Sequence, residues 1–162
     1  MYKQPPLFNE IIPNLFMGGT HDDDVIHYPM RDYGARTDLP FDAIVTMYAW
    51  ARPADWNIQE FRYAVEDGSI TKIDLNRLMQ AVDFGHNRLK SGDRVLVRCQ
   101  AGLNRSGLVT ALILMKEGFT AQDAINLIRT KRHEDALFNT SFANWLLTSG
   151  AEFISPSSEL SA

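Results

Sequence analysis

The chain has 162 residues, a formal net charge of −4 and a single cysteine. This length fits one domain with a substantial hydrophobic core, and one cysteine excludes both an intrachain disulfide framework and a zinc site built from paired thiolates. The mild negative charge argues against the strongly basic surface on which non-specific binding to nucleic acid or membranes depends.

No segment typical of export or membrane insertion is apparent. The N-terminal residues Met1 to Pro6 lack the apolar stretch of a signal peptide. The longest apolar run, from Leu108 to Met115, is much shorter than the roughly 20 residues that span a bilayer. We therefore expect a reduced, cytoplasmic protein that has no membrane partner.

The N-terminal half is predicted to form strands and loops. Short runs of β-branched, aliphatic and aromatic residues bounded by Gly, Pro or Asp are typical of strands. Such runs occupy Ile11–Ile12, Leu15–Met17 (closed by Gly18 and Gly19), Phe41–Tyr48 and, as a shorter candidate, Phe61–Val65. The stretch Thr20–Pro40 is mostly polar and is predicted to be a surface loop.

The C-terminal half is predicted to be helical with one further strand. A capping-box pattern, Thr71-x-x-Asp74, precedes apolar residues at helical spacing from Leu75 to Leu89, and Gly92 ends this helix. Val95–Val97 is a short all-apolar strand of the buried kind. Three more helices are predicted over Ser106–Lys116, Ala121–Lys131 and about Ser141–Thr148, with Thr120 and Thr140 as candidate N-caps.

Strands mixed with helices, and a buried strand that leads into a helix apolar on nearly all faces, indicate an α/β fold. We predict a central mixed sheet of about four or five strands flanked by helices. The domain is expected to span residues 1–154, and residues 155–162 are expected to form a flexible tail.

The lone cysteine lies where the buried strand gives way to the buried helix. Five residues separate Cys99 from Arg105, a Ser follows directly, and a Gly stands at the third position after the Cys. A loop this short turns successive backbone N–H groups inward as an anion nest, and the N-terminus of the following helix adds positive charge. The spacing therefore predicts a phosphate-binding loop made of Gln100, Ala101, Gly102, Leu103, Asn104 and Arg105.

Each residue type in this pattern has a chemical use. Gly102 allows a sharp turn without a side chain that would block the oxyanion, and Arg105 is suited to hold two phosphate oxygens at once. The same positive field favours the thiolate of Cys99, which is the nucleophilic form. Ser106 is placed to hydrogen-bond the sulfur and to help it leave when water cleaves a covalent intermediate.

At these residues the sequence resembles the cysteine-dependent protein tyrosine phosphatase superfamily, in its dual-specificity branch, whose signature is His-Cys-x-x-Gly-x-x-Arg-Ser/Thr. The resemblance covers about residues 9–149 and includes Asn139 and Phe142 in the closing segment. It implies a phosphatase that hydrolyses phosphomonoesters through a phosphocysteine intermediate, without metal or cofactor. The implied catalytic residues include Cys99, Arg105 and Ser106.

Arg98 departs from this signature, because the family normally carries His directly before the cysteine. Side chains alternate along a strand, so we expect Arg98 to point away from Cys99. Two roles stay open for it. It either replaces the hydrogen bonds of the histidine to the loop and contributes positive charge, or it is purely structural.

The implied mechanism also needs a carboxylic acid that protonates the leaving oxygen. The family carries this Asp on a mobile loop about thirty residues before the cysteine. Asp67 lies 32 positions before Cys99, after a candidate strand and beside Gly68, and is our first choice. Glu66 would require a shifted loop. Asp55 is the alternative, since its Pro-Ala-Asp-Trp setting is a scrambled form of the Trp-Pro-Asp loop of other tyrosine phosphatases.

The favoured function is a phosphatase acting on proteins at phosphotyrosine, with phosphoserine and phosphothreonine as further candidates. The run Gly-Leu-Asn-Arg-Ser also resembles the loop of RNA 5′-triphosphatases, so an RNA 5′ end stays open as a substrate, although an acidic chain argues against it. Inositol phosphates are disfavoured because the loop carries no Lys. A catalytically weak phosphate-binding pseudophosphatase is the last alternative. We expect a phosphorylated protein as partner and a monomer.

Overall fold

The computed structural model describes residues 6–20 and 41–155, which form an α/β arrangement around one sheet. Its five strands are β1 (Phe8–Ile12), β2 (Leu15–Gly18), β3 (Ala43–Thr46), β4 (Gln59–Arg62) and β5 (Val95–Arg98), and their order in the sheet is β1-β2-β5-β3-β4. β1 is antiparallel to β2, whereas β2, β5, β3 and β4 are mutually parallel. The predicted mixed sheet is therefore confirmed.

Five helices accompany the sheet in the described ranges: α1 (Leu75–Lys90), α2 (Arg105–Lys116), α3 (Ala121–Lys131), α4 (Thr140–Trp145) and α5 (Ala151–Ile154). A 3₁₀ turn at Ile70–Lys72 precedes α1, and a π-helical turn at Leu146–Gly150 joins α4 to α5. None of the described helices combines the length and hydropathy needed to cross a bilayer.

Several local predictions need correction. β4 covers residues 59–62 and not 61–65, so the residues after it extend toward the candidate site. Asp74 is itself the N-cap of α1, and Thr71 therefore does not begin a capping box. Asn139, and not Thr140, caps α4, because its side-chain oxygen accepts from the amide of Phe142 at 3.2 Å.

The predicted loop at residues 20–40 and the predicted tail at residues 155–162 lie, apart from Thr20 and Ser155, outside the described residues.

The two faces of the sheet are covered by different sets of residues. One face packs against the helices, and α2 is its centre, with every residue from Ser106 to Met115 buried, as predicted for the apolar helix. The other face carries a smaller cluster formed by Phe16, Phe41, Ile44, Ile58 and Leu96. The N-terminus of the buried helix α2 follows the buried end of β5, and residues 99–104 connect the two.

The carboxyl ends of the four parallel strands meet at one edge of the sheet, where ligand sites of open α/β sheets form. Gly19, Met47, Tyr63 and Cys99 directly follow β2, β3, β4 and β5. The fold therefore brings the loop after β5 beside the segments that follow three other strands.

Candidate active site

In residues 99–105, here called the anion loop, the backbone carbonyl groups of residues 100–103 point outward. The carbonyl oxygen of Gln100 accepts from the amide of Thr20 at 3.0 Å, and that of Leu103 accepts from the amide of Leu137 at 3.1 Å. Both donors lie outside the anion loop, one just after β2 and the other after α3. These bonds hold the first and the last of four consecutive outward carbonyls.

Arg132 holds the two carbonyls between them. Its Nε donates to the carbonyl oxygen of Gly102 at 3.0 Å, and its Nη2 donates to that of Ala101 at 3.3 Å. Nη1 donates to the carbonyl oxygen of Pro6 and, at 2.7 Å, to Oδ1 of Asn9. Arg132 is only 4% exposed, so a buried guanidinium ties the anion loop to the chain around β1.

The outward carbonyls determine where the amides of the anion loop point. In a planar trans peptide the C=O and the following N–H lie on opposite sides of the chain. Outward carbonyls at residues 100–103 therefore direct the N–H groups of residues 101–104 into the loop. Four inward amides at the N-terminus of α2 form the anion nest that the spacing predicts.

Gly102 is required by close packing on the outer side of the loop. Its φ is +74°, a left-handed conformation that favours glycine. A Cβ added there would lie 2.4 Å from the backbone carbon of Gly18 and 2.6 Å from Nη2 of Arg132. The sharp turn agrees with the sequence prediction, but the added side chain would clash with β2 and Arg132, on the side away from the oxyanion.

Cys99 lies at the base of the anion loop. It is 2% exposed, and its amide donates to the carbonyl oxygen of Gly18 at 3.2 Å. Its Sγ lies 3.3 Å from the buried Oγ of Ser106 on the first turn of α2. When the sulfur is ionised, this hydroxyl is placed to donate a hydrogen bond to it.

The environment of Arg132 acts on its pKa in two opposite directions. Burial lowers the pKa of the Arg132 guanidinium below its ordinary value, and attraction to the charge of Cys99 acts in the opposite direction. Since Arg stays protonated in proteins, the group that holds the carbonyls of Ala101 and Gly102 is a buried cation. This charge adds to the inward amides in favouring an anion at the site.

Arg105 borders the open side of the nest. Its Nη1 donates to the carbonyl oxygen of Val65 at 3.2 Å, and its Cζ lies 5.3 Å from the centre of the Tyr48 ring. Its Nε is buried and has no hydrogen-bond partner among the described residues. The guanidinium is thus held in place by the residues after β3 and β4 and keeps a donor for an oxyanion.

Hydrogen bonds from two amide side chains hold the carboxylate of Asp67 next to the anion loop. Its Oδ2 accepts from Nδ2 of Asn104 at 3.0 Å, and its Oδ1 accepts from Nδ2 of Asn139 at 2.8 Å. The backbone amide of Asn139 donates in turn to Oδ1 of Asn104 at 2.9 Å. This triangle fixes an exposed carboxylate at the rim of the nest.

The other two candidate carboxylates are placed differently. Glu66 forms an exposed ion pair with Lys72 at 3.7 Å. Asp55 lies between β3 and β4, and no hydrogen bond joins its carboxylate to the anion loop within the described part of the chain. Within the same residues, no group of three or more His, Cys, Asp or Glu side chains is arranged to hold a metal ion.

Arg98 lies on the face of the sheet opposite Cys99, in line with the alternation of strand side chains. It is 1% exposed, and its guanidinium donates to Oγ1 of Thr46 at 2.9 Å, to the carbonyl oxygen of Arg52 at 2.7 Å and to Oε2 of Glu60 at 3.1 Å. These three acceptors lie outside the anion loop, which favours the structural interpretation of Arg98.

Sequence reasoning missed Arg132 as a site residue. It is the C-cap residue of α3, where basic side chains are common for reasons unrelated to function. In the sequence, Asn139 stands out only within the family resemblance; the structure shows that its side chain both donates to Asp67 and accepts from the amide of Phe142 as the cap of α4. No local pattern distinguishes either residue, because their partners lie far away in the sequence.

Several known proteins resemble this chain in sequence or in fold. The family model described as the dual specificity phosphatase catalytic domain matches residues 33–151. Dual specificity protein phosphatase 13B of Mus musculus is 28% identical over 147 residues, which cover 85% of this chain and 70% of that protein. Solved structures of human DUSP28 and of Tk-PTP in its active form share the fold, with TM-scores of 0.73 and 0.71 at 22% and 21% identity. The matches cover 98% and 91% of this chain and 97% of each of those chains.

Proposed function

The chain belongs to the dual specificity phosphatase family by its catalytic domain, and from this premise we propose that it removes phosphate from proteins through a phosphocysteine intermediate. Its enzyme class is that of the protein-tyrosine and dual-specificity phosphatases. The proposed substrates are phosphotyrosine residues, with phosphoserine and phosphothreonine as further candidates. The proposal rests above all on the four inward amides that surround the buried sulfur of Cys99.

In the first proposed step, the thiolate of Cys99 attacks the phosphorus of the bound ester. A sulfur–phosphorus bond forms as the bond between phosphorus and the ester oxygen breaks. Asp67 gives its proton to the departing oxygen, and the substrate leaves as an alcohol or phenol. The inward amides and Arg105 hold the three non-bridging oxygens, whose charge is spread in the transition state.

In the second proposed step, water replaces the sulfur. The ionised Asp67 takes a proton from the water molecule while the oxygen of that water attacks phosphorus, and the sulfur–phosphorus bond breaks. The hydroxyl of Ser106, 3.3 Å from Sγ, donates a hydrogen bond to the departing thiolate. Inorganic phosphate is released, and both Asp67 and Cys99 return to their starting states.

The support for Asp67 as the acid is positional. Asn104 belongs to the anion loop, so its bond to Asp67 couples the carboxylate directly to the groups that hold the phosphate.

We assign the catalytic domain to residues 1–154 and expect it to act as a monomer.

The decisive experiment is a turnover assay in the presence of a chelator. We expect hydrolysis of a phosphotyrosine peptide and of para-nitrophenyl phosphate, and none by Cys99→Ser, which should still bind vanadate. Asp67→Asn should lower kcat about 10²–10⁴-fold for the peptide. It should lower kcat much less for an aryl phosphate with a good leaving group.

The matched control is Asp55→Asn, which removes the alternative candidate carboxylate, of the same side-chain length, and should retain activity. If Asp55→Asn loses activity on the poor leaving group and Asp67→Asn does not, Asp55 is the acid. Faster turnover of 5′-triphosphorylated RNA than of any phosphopeptide would contradict the proposed substrate class. Vanadate binding without turnover of any substrate would indicate a pseudophosphatase.

A further inference from the structure

The guanidinium of Arg105 is held from two directions by groups that carry no charge. Its Cζ lies 5.3 Å from the centre of the Tyr48 ring, inside the range of about 6 Å over which an aromatic face attracts a cation. Its Nη1 donates to the carbonyl oxygen of Val65 at 3.2 Å. Within residues 6–20 and 41–155, no carboxylate forms an ion pair with Arg105.

The two contacts occupy different parts of the guanidinium. An aromatic ring stacks on the flat face of this group, whereas its N–H bonds point outward in its plane. Val65 accepts from Nη1, while Nε and Nη2 have no hydrogen-bond partner among the described residues. These two nitrogens form one edge of the guanidinium, which is the fork that fits two oxygens of a phosphate. A carboxylate would compete for that edge, and the ring of Tyr48 leaves it open.

The backbone around Tyr48 is bonded to neighbouring segments on both sides. The preceding residue, Met47, donates its amide to the carbonyl oxygen of Arg98 at 2.9 Å and accepts at its own carbonyl from the amide of Val65 at 3.4 Å. The carbonyl oxygen of Tyr48 accepts from the amide of Ala51 at 3.3 Å. The ring therefore stands on a part of the chain whose position is set before a ligand binds.

These bonds also connect the two supports of Arg105 to each other. Val65 offers its carbonyl to Arg105 and its amide to Met47, the residue before Tyr48. The Tyr48 ring is half-buried and packs against the main hydrophobic core. A half-buried aromatic side chain on a bonded backbone is a rigid support for a long, flexible one.

Such a support matters because an arginine side chain has many rotamers. The apparent affinity of a site falls in proportion to the fraction of molecules that have the binding conformation. Holding Arg105 in one conformation therefore raises the affinity for the oxyanion without adding a contact to it.

We propose that Tyr48 is a positioning residue, whose ring holds Arg105 in the conformation that binds the phosphate group of the substrate. The inference rests on the proposed phosphatase function and deepens it. The role belongs to the face of the ring, and the hydroxyl group is not required for it.

The test compares Tyr48→Leu, which removes the aromatic face but keeps an apolar side chain, with Tyr48→Phe, which keeps the face. We expect the dissociation constant of vanadate, measured by calorimetry, to rise at least about fivefold in Tyr48→Leu and less than about twofold in Tyr48→Phe. The kcat/KM values for para-nitrophenyl phosphate and for a phosphotyrosine peptide should fall in the same order and by similar factors, because both substrates share the phosphate group.

The matched control is Tyr63→Leu. The ring of Tyr63 lies 5.1 Å from Cζ of Arg77 on α1, so the same replacement removes the same kind of contact from a guanidinium outside the anion loop. Its affinity for vanadate should equal that of the wild type. An equal loss in Tyr63→Leu, an equal loss in Tyr48→Phe, or unchanged vanadate binding in Tyr48→Leu would each overturn the proposal.

A second measurement needs no folded Tyr48→Leu. Protons over the face of an aromatic ring resonate upfield because of its ring current. We therefore expect an upfield shift for the Nε proton of Arg105 in the ligand-free wild type, and the same shift in Tyr48→Phe. A resonance at the ordinary arginine position would show that the ring does not hold the guanidinium, and it would overturn the proposal.

Failure of this inference differs from failure of the proposed function. If the wild type binds vanadate but hydrolyses neither the peptide nor the aryl phosphate, the proposed function is wrong, and vanadate binding by the variants still decides the role of Tyr48. If the wild type is active and Tyr48→Leu matches it in activity and in vanadate binding, the inference alone is wrong.

Discussion

The anion loop and residues 47–58 between β3 and β4, here called the wall segment, are held by different interactions. In the anion loop, four backbone carbonyls bond to two amides and to the guanidinium of Arg132. In the wall segment, four backbone groups bond to charged side chains around Glu60. The anion loop is supported by neutral amides and by the cation of Arg132, whereas the wall segment depends on the carboxylate anion of Glu60.

This difference predicts two kinds of sensitivity. The anion loop packs so closely that a single added carbon meets backbone atoms, and it should therefore be intolerant of changes in shape. The wall segment depends on a carboxylate, and it should therefore respond to acid while its neighbour does not. Substitutions in each region distinguish sensitivity to shape from sensitivity to pH.

The largest effect is expected for Gly102→Ala. Its Cβ would lie 2.4 Å from backbone at a φ of +74°, so we expect a loss of about 3 kcal/mol or more in the free energy of unfolding, measured with urea. Gly118→Ala is the matched control, because its φ is +105° but no atom lies within 4 Å of the added carbon. The Gly118→Ala variant should lose only about 1–2 kcal/mol in the free energy of unfolding. Equal losses would show that close packing contributes nothing at Gly102.

Arg132→Met should have the next largest effect. Two carbonyls of the anion loop lose their donor and remain buried, so we expect a loss of about 2–3 kcal/mol in the free energy of unfolding. Because the amides that follow these carbonyls are then free to turn, vanadate inhibition should weaken about tenfold, or about 1.4 kcal/mol. Lys131→Met, one residue earlier and exposed, should change neither quantity. Unchanged vanadate inhibition in Arg132→Met would show that other bonds suffice to orient the amides.

The smallest effect is expected for Glu60→Gln, and it should depend on pH. The pKa of Glu60 in the folded protein lies below its ordinary value of 4.5, so its ionised form stabilises the fold above that value. That stabilisation is lost as the pH falls through the folded pKa. Wild type should exceed Glu60→Gln by about 1–2 kcal/mol at pH 7, and the difference should narrow below about pH 4.5. Thermal unfolding from pH 7 to 3 measures this, and a gap that widens in acid would contradict it.

Much of the fold was predictable because its signals are local. Apolar runs located β2, β3 and β5, and the all-apolar composition of residues 106–115 marked α2 as the buried helix. The spacing from Cys99 to Arg105 indicated the nest, since a short loop before a helix restricts where its amides point. Asp67 was chosen from its distance along the chain, and the structure places it beside Asn104.

The supports of both regions were not predictable. Arg132 reaches carbonyls about 30 residues earlier in the chain, and Asn139 reaches Asp67 across 72 residues. The N-cap of α1 was misplaced because two acceptors, Thr71 and Asp74, lie three positions apart and either fits the pattern. In each case a competing local interpretation was equally compatible with the residues.

The amino-acid order alone predicted an α/β chain and a cysteine-based anion loop, because hydrophobic period, glycine placement and loop length act between near neighbours. The partners that hold the loop open, the carboxylate that reaches its rim and the role of Arg98 emerged only in three dimensions. Those contacts depend on the packing angles between strands and helices that are distant in sequence, and a buried charge finds its partner only after that packing has formed.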